Sequence, residues 1–142
     1  MGTRALTFVY DGDKPIVNLY RQYDGYPTGH GAELAQFLDG FKIVNGIGAE
    51  KTRIANGMGC LAAQVVAHFK DSVGGFYIHS VDATECGQDY EYHVYQKDKE
   101  LRVRVTDRGC NMFGLTMSDT NEGIFDGTVA EFVKFCFDES YA

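Results

Sequence analysis

Tryptophan is missing from this chain, and proline occurs only twice in 142 residues. So little proline excludes a proline-rich spacer or recognition tail. No Cys-x-x-Cys pair occurs either; the four cysteines are isolated at Cys60, Cys86, Cys110 and Cys136. That spacing matches no zinc pattern, and no metal is expected. No apolar run approaches the roughly 18 residues of a membrane span, so no membrane partner is expected. Positive charge is scarce as well: 13 Lys and Arg stand against 20 Asp and Glu, for a formal net charge of −7. Diffuse negative charge repels a phosphate backbone, and nucleic acid is not an expected partner. No secretory signal is visible, because Met1-Gly2-Thr3-Arg4 leads straight into a strand-like stretch. The cysteines are therefore expected to be reduced and buried, in a cytoplasmic setting.

Glycine and aromatic residues are abundant, at 17 Gly, 10 Phe and 9 Tyr. With 44% apolar residues the chain has enough material for one real core. At this length it reads as a single domain spanning 1–142. Many glycines beside few prolines point to special backbone conformations rather than disorder.

Alternation of Leu6, Phe8 and Tyr10 with Ala5, Thr7 and Val9 predicts a strand. Asp11-Gly12-Asp13-Lys14 predicts a hairpin turn, and Ile16 to Tyr23 the returning strand. Leu34, Phe37, Leu38 and Phe41 have helical spacing, with Gly40 placed to end the helix. Lys42-Ile43-Val44 suits a short edge strand. A second helix opens near Asn56 as N-cap, with Leu61, Val65, Val66 and Phe69 as its core stripe. Phe76 to Val81 is strand-like. Tyr90 to Gln96 and Leu101 to Thr106 form the clearest hairpin, joined by Lys97-Asp98-Lys99-Glu100. Phe113 to Met117 reads as a short strand. Thr128 and Glu131 have capping-box spacing before a last helix carrying Val129, Phe132, Val133, Cys136 and Phe137. The implied class is α+β: one domain, a mostly antiparallel sheet of about five strands, helices on one face.

The chemistry-bearing residues concentrate in one strand-to-helix corner, Tyr20-Arg21-Gln22-Tyr23-Asp24-Gly25-Tyr26-Pro27-Thr28-Gly29-His30-Gly31. A helix entrance presents free N–H groups that attract anions, and Arg21 is placed to clamp the same anion. Tyr23 and Tyr26 are suited to stack on a ring. A purely structural account has Arg21 paired with Asp24, the tyrosines covering the core edge and His30 capping the helix. A second glycine corner, Arg53-Ile54-Ala55-Asn56-Gly57-Met58-Gly59-Cys60, also enters a helix but matches neither a P-loop nor a dinucleotide fingerprint. Two such corners in one small domain suggest a shared pocket. Its candidate ligand-binding residues are Arg21, Tyr23, Asp24, Tyr26, His30, Asn56 and Gly57. His79 and His93 lie on strands and are read as facing each other across a sheet.

These same stretches, Met1-Gly2-Thr3-Arg4 with Leu6-Thr7, Tyr20 to Pro27, Gly29-His30-Gly31 and Asn56-Gly57-Met58-Gly59-Cys60, resemble a group of small uncharacterised proteins encoded by phages, prophages and environmental viruses. The resemblance covers the first half of the chain by motif and the rest by length and pattern. It implies a viral origin and an intracellular setting in an infected bacterium. It carries no established activity and no catalytic residues.

The leading expectation is thus a non-enzymatic binding protein, a homo-oligomer without a cofactor, for a small anionic or nucleotide-like ligand. One alternative is a hydrolase or phosphoesterase using His30 with Asp24. Another is an acidic protein that blocks a host factor.

Overall fold

The computed structural model describes residues 2–46, 48, 53–108 and 122–137. The first two strands are β1 (Ala5–Asp11) and β2 (Lys14–Arg21), a hairpin closed by Gly12 at φ +65°. A single π-helical turn, Pro27–Gly31, then leads into α1 (Ala32–Leu38). Gly40, at φ +76°, stops that helix in the left-handed conformation that glycine adopts at least cost. Short strands β3 (Lys42–Val44) and β4 (Ile54–Asn56) pair in parallel, and α2 (Gly57–Phe69) follows. After β5 (Phe76–His79) come β6 (Tyr90–Lys97), β7 (Glu100–Asp107), β8 (Glu122–Thr128) and α3 (Val129–Cys136).

The main sheet has six strands in the order β5-β2-β1-β6-β7-β8. All neighbours are antiparallel except β1 and β6, which run parallel. The α+β class is as expected, with one more strand in this sheet than anticipated. The β6–β7 hairpin turns at Asp98 and Lys99, both with positive φ (52° and 66°), the conformation that matches strand twist. Strand β8 was not anticipated, and the strand expected over Phe113 to Met117 lies outside the described residues.

One face of the sheet carries the core. Ala5, Val9, Leu19, Tyr92, Val94, Val103 and Val105 pack against Leu34, Leu38, Leu61, Val65, Phe69 and Phe132 of the three helices. The helix faces are narrower than the sequence suggests. Val66 is only partly buried and Phe137 is 49% exposed. The capping box on α3 forms as expected: Glu131 N–H donates to Thr128 Oγ1, and the Thr128 N–H to Glu131 Oε1.

The second face is not simply solvated. The chain between β5 and β6 folds across it. Asn18 Nδ2 holds that loop by donating to the carbonyls of Ser80 and Ala83, each at 2.9 Å. Leu6 and Phe8 are buried beneath it, at 0% and 4% exposure, so β1 is covered on both faces. His79 and His93 share this face but do not meet. The register runs His79, Asn18, Phe8, His93, which places two strands between them and about 14 Å of sheet.

A candidate ligand cleft beside the Arg21 corner

The corner is built by close backbone packing. Asp24 adopts φ 57°, and its carbonyl accepts from the N–H of His30 at 2.7 Å. The Tyr26 carbonyl accepts from Gly29 (2.9 Å) and Gly31 (3.4 Å). The N–H groups of Gly29, His30 and Gly31, expected to hold an anion at this helix entrance, are thus already spent within the corner, which corrects that part of the sequence reading. The glycines answer to packing. A Cβ on Gly29 would lie 2.5 Å from the Asp24 carbonyl oxygen, and one on Gly25 would lie 2.8 Å from the Ala5 Cβ.

His30 sits inside the protein at 0% exposure. Its Nε2 lies 2.7 Å from Thr7 Oγ1, and its Nδ1 is 3.2 Å from Arg21 NH1. An arginine can only donate, so Nδ1 is the accepting nitrogen and Nε2 carries the proton. Burial, and then the Arg21 charge, push its pKa down to about 3, which keeps the ring neutral. The Asp24 carboxylate points elsewhere and accepts from the Tyr26 hydroxyl at 3.2 Å. The structure therefore does not bring the His30 and Asp24 side chains together, as the hydrolytic alternative requires.

Arg21 turns in the direction that matters. It is 6% exposed and lies on the floor of a cleft of about 850 Å3. Its NH1 donates to Glu33 Oε2, and its Nε donates to the Tyr23 carbonyl at 2.7 Å. The sequence reading offered Asp24 as the structural partner; Glu33 takes that place. The guanidinium lies 5.3 Å from the Tyr23 ring centre and 5.0 Å from that of Phe76, so rings as well as charges fix its orientation.

The opposite wall comes from α1, α2 and Arg53. Phe37 stacks on His68 with ring centres 4.4 Å apart, and Phe41 lies 5.2 Å from Phe37. Arg53 NH1 donates to the carbonyls of Phe37 (3.0 Å) and Asp39 (2.7 Å), closing the C-terminal end of α1. Gln36, Gln64 and Asp71 add to the polar part of the lining. The lining thus carries two guanidinium groups, Arg21 and Arg53, and two carboxylates, Glu33 and Asp71, among aromatic rings, with Arg21 and Glu33 already paired.

Of the residues anticipated for binding, Arg21 and Tyr23 line this cleft. His30 supports Arg21 from below. Asp24 and Tyr26 are exposed on the outer side of the corner. Asn56 does not cap α2 with its side chain; its Oδ1 accepts from the Gly46 N–H at 2.8 Å. Gly57, at φ 83°, serves the turn into α2. The second corner reaches the cleft through Arg53 rather than through Asn56 or Gly57. Phe37 and Phe41 have the helical spacing of a core stripe, yet their rings are only partly buried and His68 beside them is exposed, a distinction that sequence spacing does not make.

Among the described residues no group of three or more His, Cys, Asp or Glu side chains could hold a metal ion. No described helix is long and apolar enough to cross a membrane. Cys60 is exposed, Cys86 half-buried and Cys136 buried, all as free thiols, so burial of every cysteine does not hold. Comparison with protein-family models, with curated proteins and with solved structures finds no match.

Proposed function

We propose that this chain is a binding protein for a small anionic molecule carrying a flat ring, of the nucleotide class. The observation that carries the reading is a nearly buried guanidinium, Arg21, on the floor of a cleft walled by Tyr23, Phe37, Phe41 and Phe76. Its volume, about 850 Å3, falls in the roughly 300–1,000 Å3 range of small-molecule sites. A ring would stack on the aromatic wall while the anionic group takes Arg21, with Arg53 on the far side. His30 is held neutral and out of reach, so it supports positioning rather than acid–base turnover.

The same proposal puts this activity in the cytoplasm of an infected bacterium, a reading supported by the resemblance to phage-encoded proteins. A homo-oligomer is part of it too. Edge strand β5 leaves Tyr77 45% and Ile78 61% exposed, a surface on which a second copy would add. Light scattering during size exclusion measures that directly: a monomer at all concentrations removes it.

The test of the ligand is a thermal-shift screen with nucleotides and phosphorylated metabolites. Arg21→Lys and Arg53→Gln are compared with the wild type, and each variant's own melting curve serves as its folding control. The expected result is one class of nucleotide that raises the wild-type melting temperature and loses most of that effect in Arg21→Lys, because a bidentate site does not accept lysine. If no compound stabilises the wild type more than Arg21→Lys, the cleft is not the site.

A further inference from the structure

The second face of the sheet holds a polar chain that the cleft does not use. Glu91 is 4% exposed. Arg108 NH1 and Gln88 Nε2 donate to its Oε2, at 2.7 and 2.8 Å. His93 Nε2 lies 3.2 Å from its Oε1. Tyr10 Oη lies 2.7 Å from the other nitrogen of that ring, Nδ1. Phe8 stacks on the His93 ring at 5.2 Å and 8°, which fixes its plane.

The direction of every proton follows from the two ends. Burial opposes the charge on Glu91, but hydrogen bonds from His93, Gln88 and Arg108 outweigh it and bring the pKa down to about 2. An ionised carboxylate only accepts, so His93 Nε2 is the donor. Burial keeps the imidazole neutral, and its Nδ1 therefore accepts from the Tyr10 hydroxyl. The phenol oxygen is left with lone pairs and no proton to offer.

Tyr10 lines a pocket of about 290 Å3 together with Gly12, Asp13, His93, Tyr95 and Arg104. Arg104 supplies its positive charge. The carboxylate nearest in register, Asp126, is already engaged by the Tyr95 hydroxyl and lies 4.0 Å from Arg102. Among the described residues Arg104 makes no hydrogen bond or ion pair. Asp13, on the exposed hairpin turn, is the opposing charge at the rim. A cation without a partner among the described residues, beside an oxygen that can only accept, selects a ligand with complementary groups, a negative charge and a hydrogen-bond donor next to it.

We propose that this pocket binds a small anion bearing a hydroxyl beside its charge, a 2-hydroxycarboxylate in its simplest form, with Arg104 pairing the carboxylate and Tyr10 Oη accepting from the hydroxyl. The site is separate from the Arg21 cleft and stands independently of it.

The probe is glycolate, with acetate as the analogue that lacks the hydroxyl. Both are titrated at neutral pH into the full isotope-labelled chain, and amide shifts are followed. Glycolate is expected to move Gly12, His93 and Arg104 saturably and to bind about fivefold tighter than acetate, the worth of one net hydrogen bond. Tyr10→Phe should erase that preference while leaving acetate affinity in place. Arg104→Gln should weaken both anions about tenfold or more, the loss of a charge-assisted pair. Asp13→Asn, on an exposed turn, should tighten both. Equal affinity for the two anions, binding that survives Arg104→Gln, or shifts confined to the Arg21 cleft would overturn the proposal. Were Tyr10→Phe to melt below the measuring temperature, the glycolate–acetate comparison in the wild type and Arg104→Gln still decide it.

Discussion

His30 Nδ1 accepts a hydrogen bond from Arg21 NH1 at 3.2 Å, so a neutral buried imidazole holds a guanidinium at the floor of the cleft. The contact explains both residues together. Arg21 needs acceptors where it is buried, and His30 supplies one without adding charge. Protonation of His30 would turn that acceptor into a donor facing a cation. The corner therefore works only while the ring is neutral.

Acid should loosen this fold through its histidines. The pKa of His30 falls from 6.5 to about 3 on folding, and burial lowers that of His93 as well. A group with a depressed folded pKa gives its full stabilisation above its unfolded value and loses it as pH falls. The loss thus begins near pH 6.5, at about 1.4 kcal/mol per pH unit for each histidine that must stay neutral. Glu91, with a pKa of about 2, adds to the same trend below about pH 4.5. Urea unfolding at a series of pH values between 7.5 and 4 measures this. His30→Gln should start less stable and show a shallower slope. Stability independent of pH over that range would contradict the buried neutral state.

Glu33 restrains the charge of the cleft. Its side chain is 52% exposed and pairs with an Arg21 side chain that is only 7% exposed. An exposed partner contributes little to stability, about 0–1 kcal/mol. It does compete with any incoming anion for the same guanidinium. Glu33→Gln should therefore leave the melting temperature nearly unchanged while tightening binding of an anionic nucleotide about threefold to tenfold, at low salt most of all. Calorimetric titration at two ionic strengths is the measurement. Weaker binding in Glu33→Gln would mean that the carboxylate itself contacts the ligand.

Arg53 carries two opposed effects that substitution can separate. Its guanidinium closes the C-terminal end of α1, while its backbone sits at φ 56°, which a side chain disfavours. Arg53→Ala removes the hydrogen bonds and keeps the strain, and should cost about 1–2 kcal/mol. Arg53→Gly removes both, and should be more stable than Arg53→Ala by about 1 kcal/mol. Chemical denaturation of the three proteins gives the ranking. If Arg53→Gly were the least stable of the three, the positive φ would not be a source of strain.

The elements that were legible in the sequence are those specified locally. Alternation in Tyr90–Gln96 and Leu101–Thr106 marked the central hairpin, Thr128 with Glu131 marked α3, and Gly40 marked the end of α1. The pairing of β1 with β6 is long-range, and nothing near either strand encodes it. Strand β8 contains Gly123, Asp126 and Gly127 and has weak strand propensity; pairing with β7 forms it. The corner was recognised as unusual, yet its two most prominent features were misread for one reason. A glycine that frees backbone N–H groups for a ligand and a glycine that lets two backbones touch look alike in one dimension. The sequence offers His30 as a pocket or capping residue; Gly25 against Ala5, and Gly31 against Tyr92 and Cys136, let the chain pack closely enough to bury it instead.

Gly29 distinguishes these two roles for glycine. Its conformation does not require glycine; the space beside it does. A Cβ there would meet the Asp24 carbonyl oxygen at 2.5 Å, and that oxygen is backbone, held by the His30 N–H. The clash can be relieved only by opening the corner. Gly29→Ala should therefore cost about 1–3 kcal/mol, the range for overpacking a close-fitted site. Gly12→Ala is a control with φ +65° and nothing near its Cβ, and it should lose about 1 kcal/mol from backbone strain alone. Function gives the second readout. If the glycine serves packing, the folded fraction of Gly29→Ala binds cleft ligands with affinity near that of the wild type once stability is corrected for. If its backbone touches the ligand, affinity falls far more than stability does. Denaturation paired with titration on the same samples separates the two, and a large loss of affinity at unchanged stability would restore the helix entrance as the binding element.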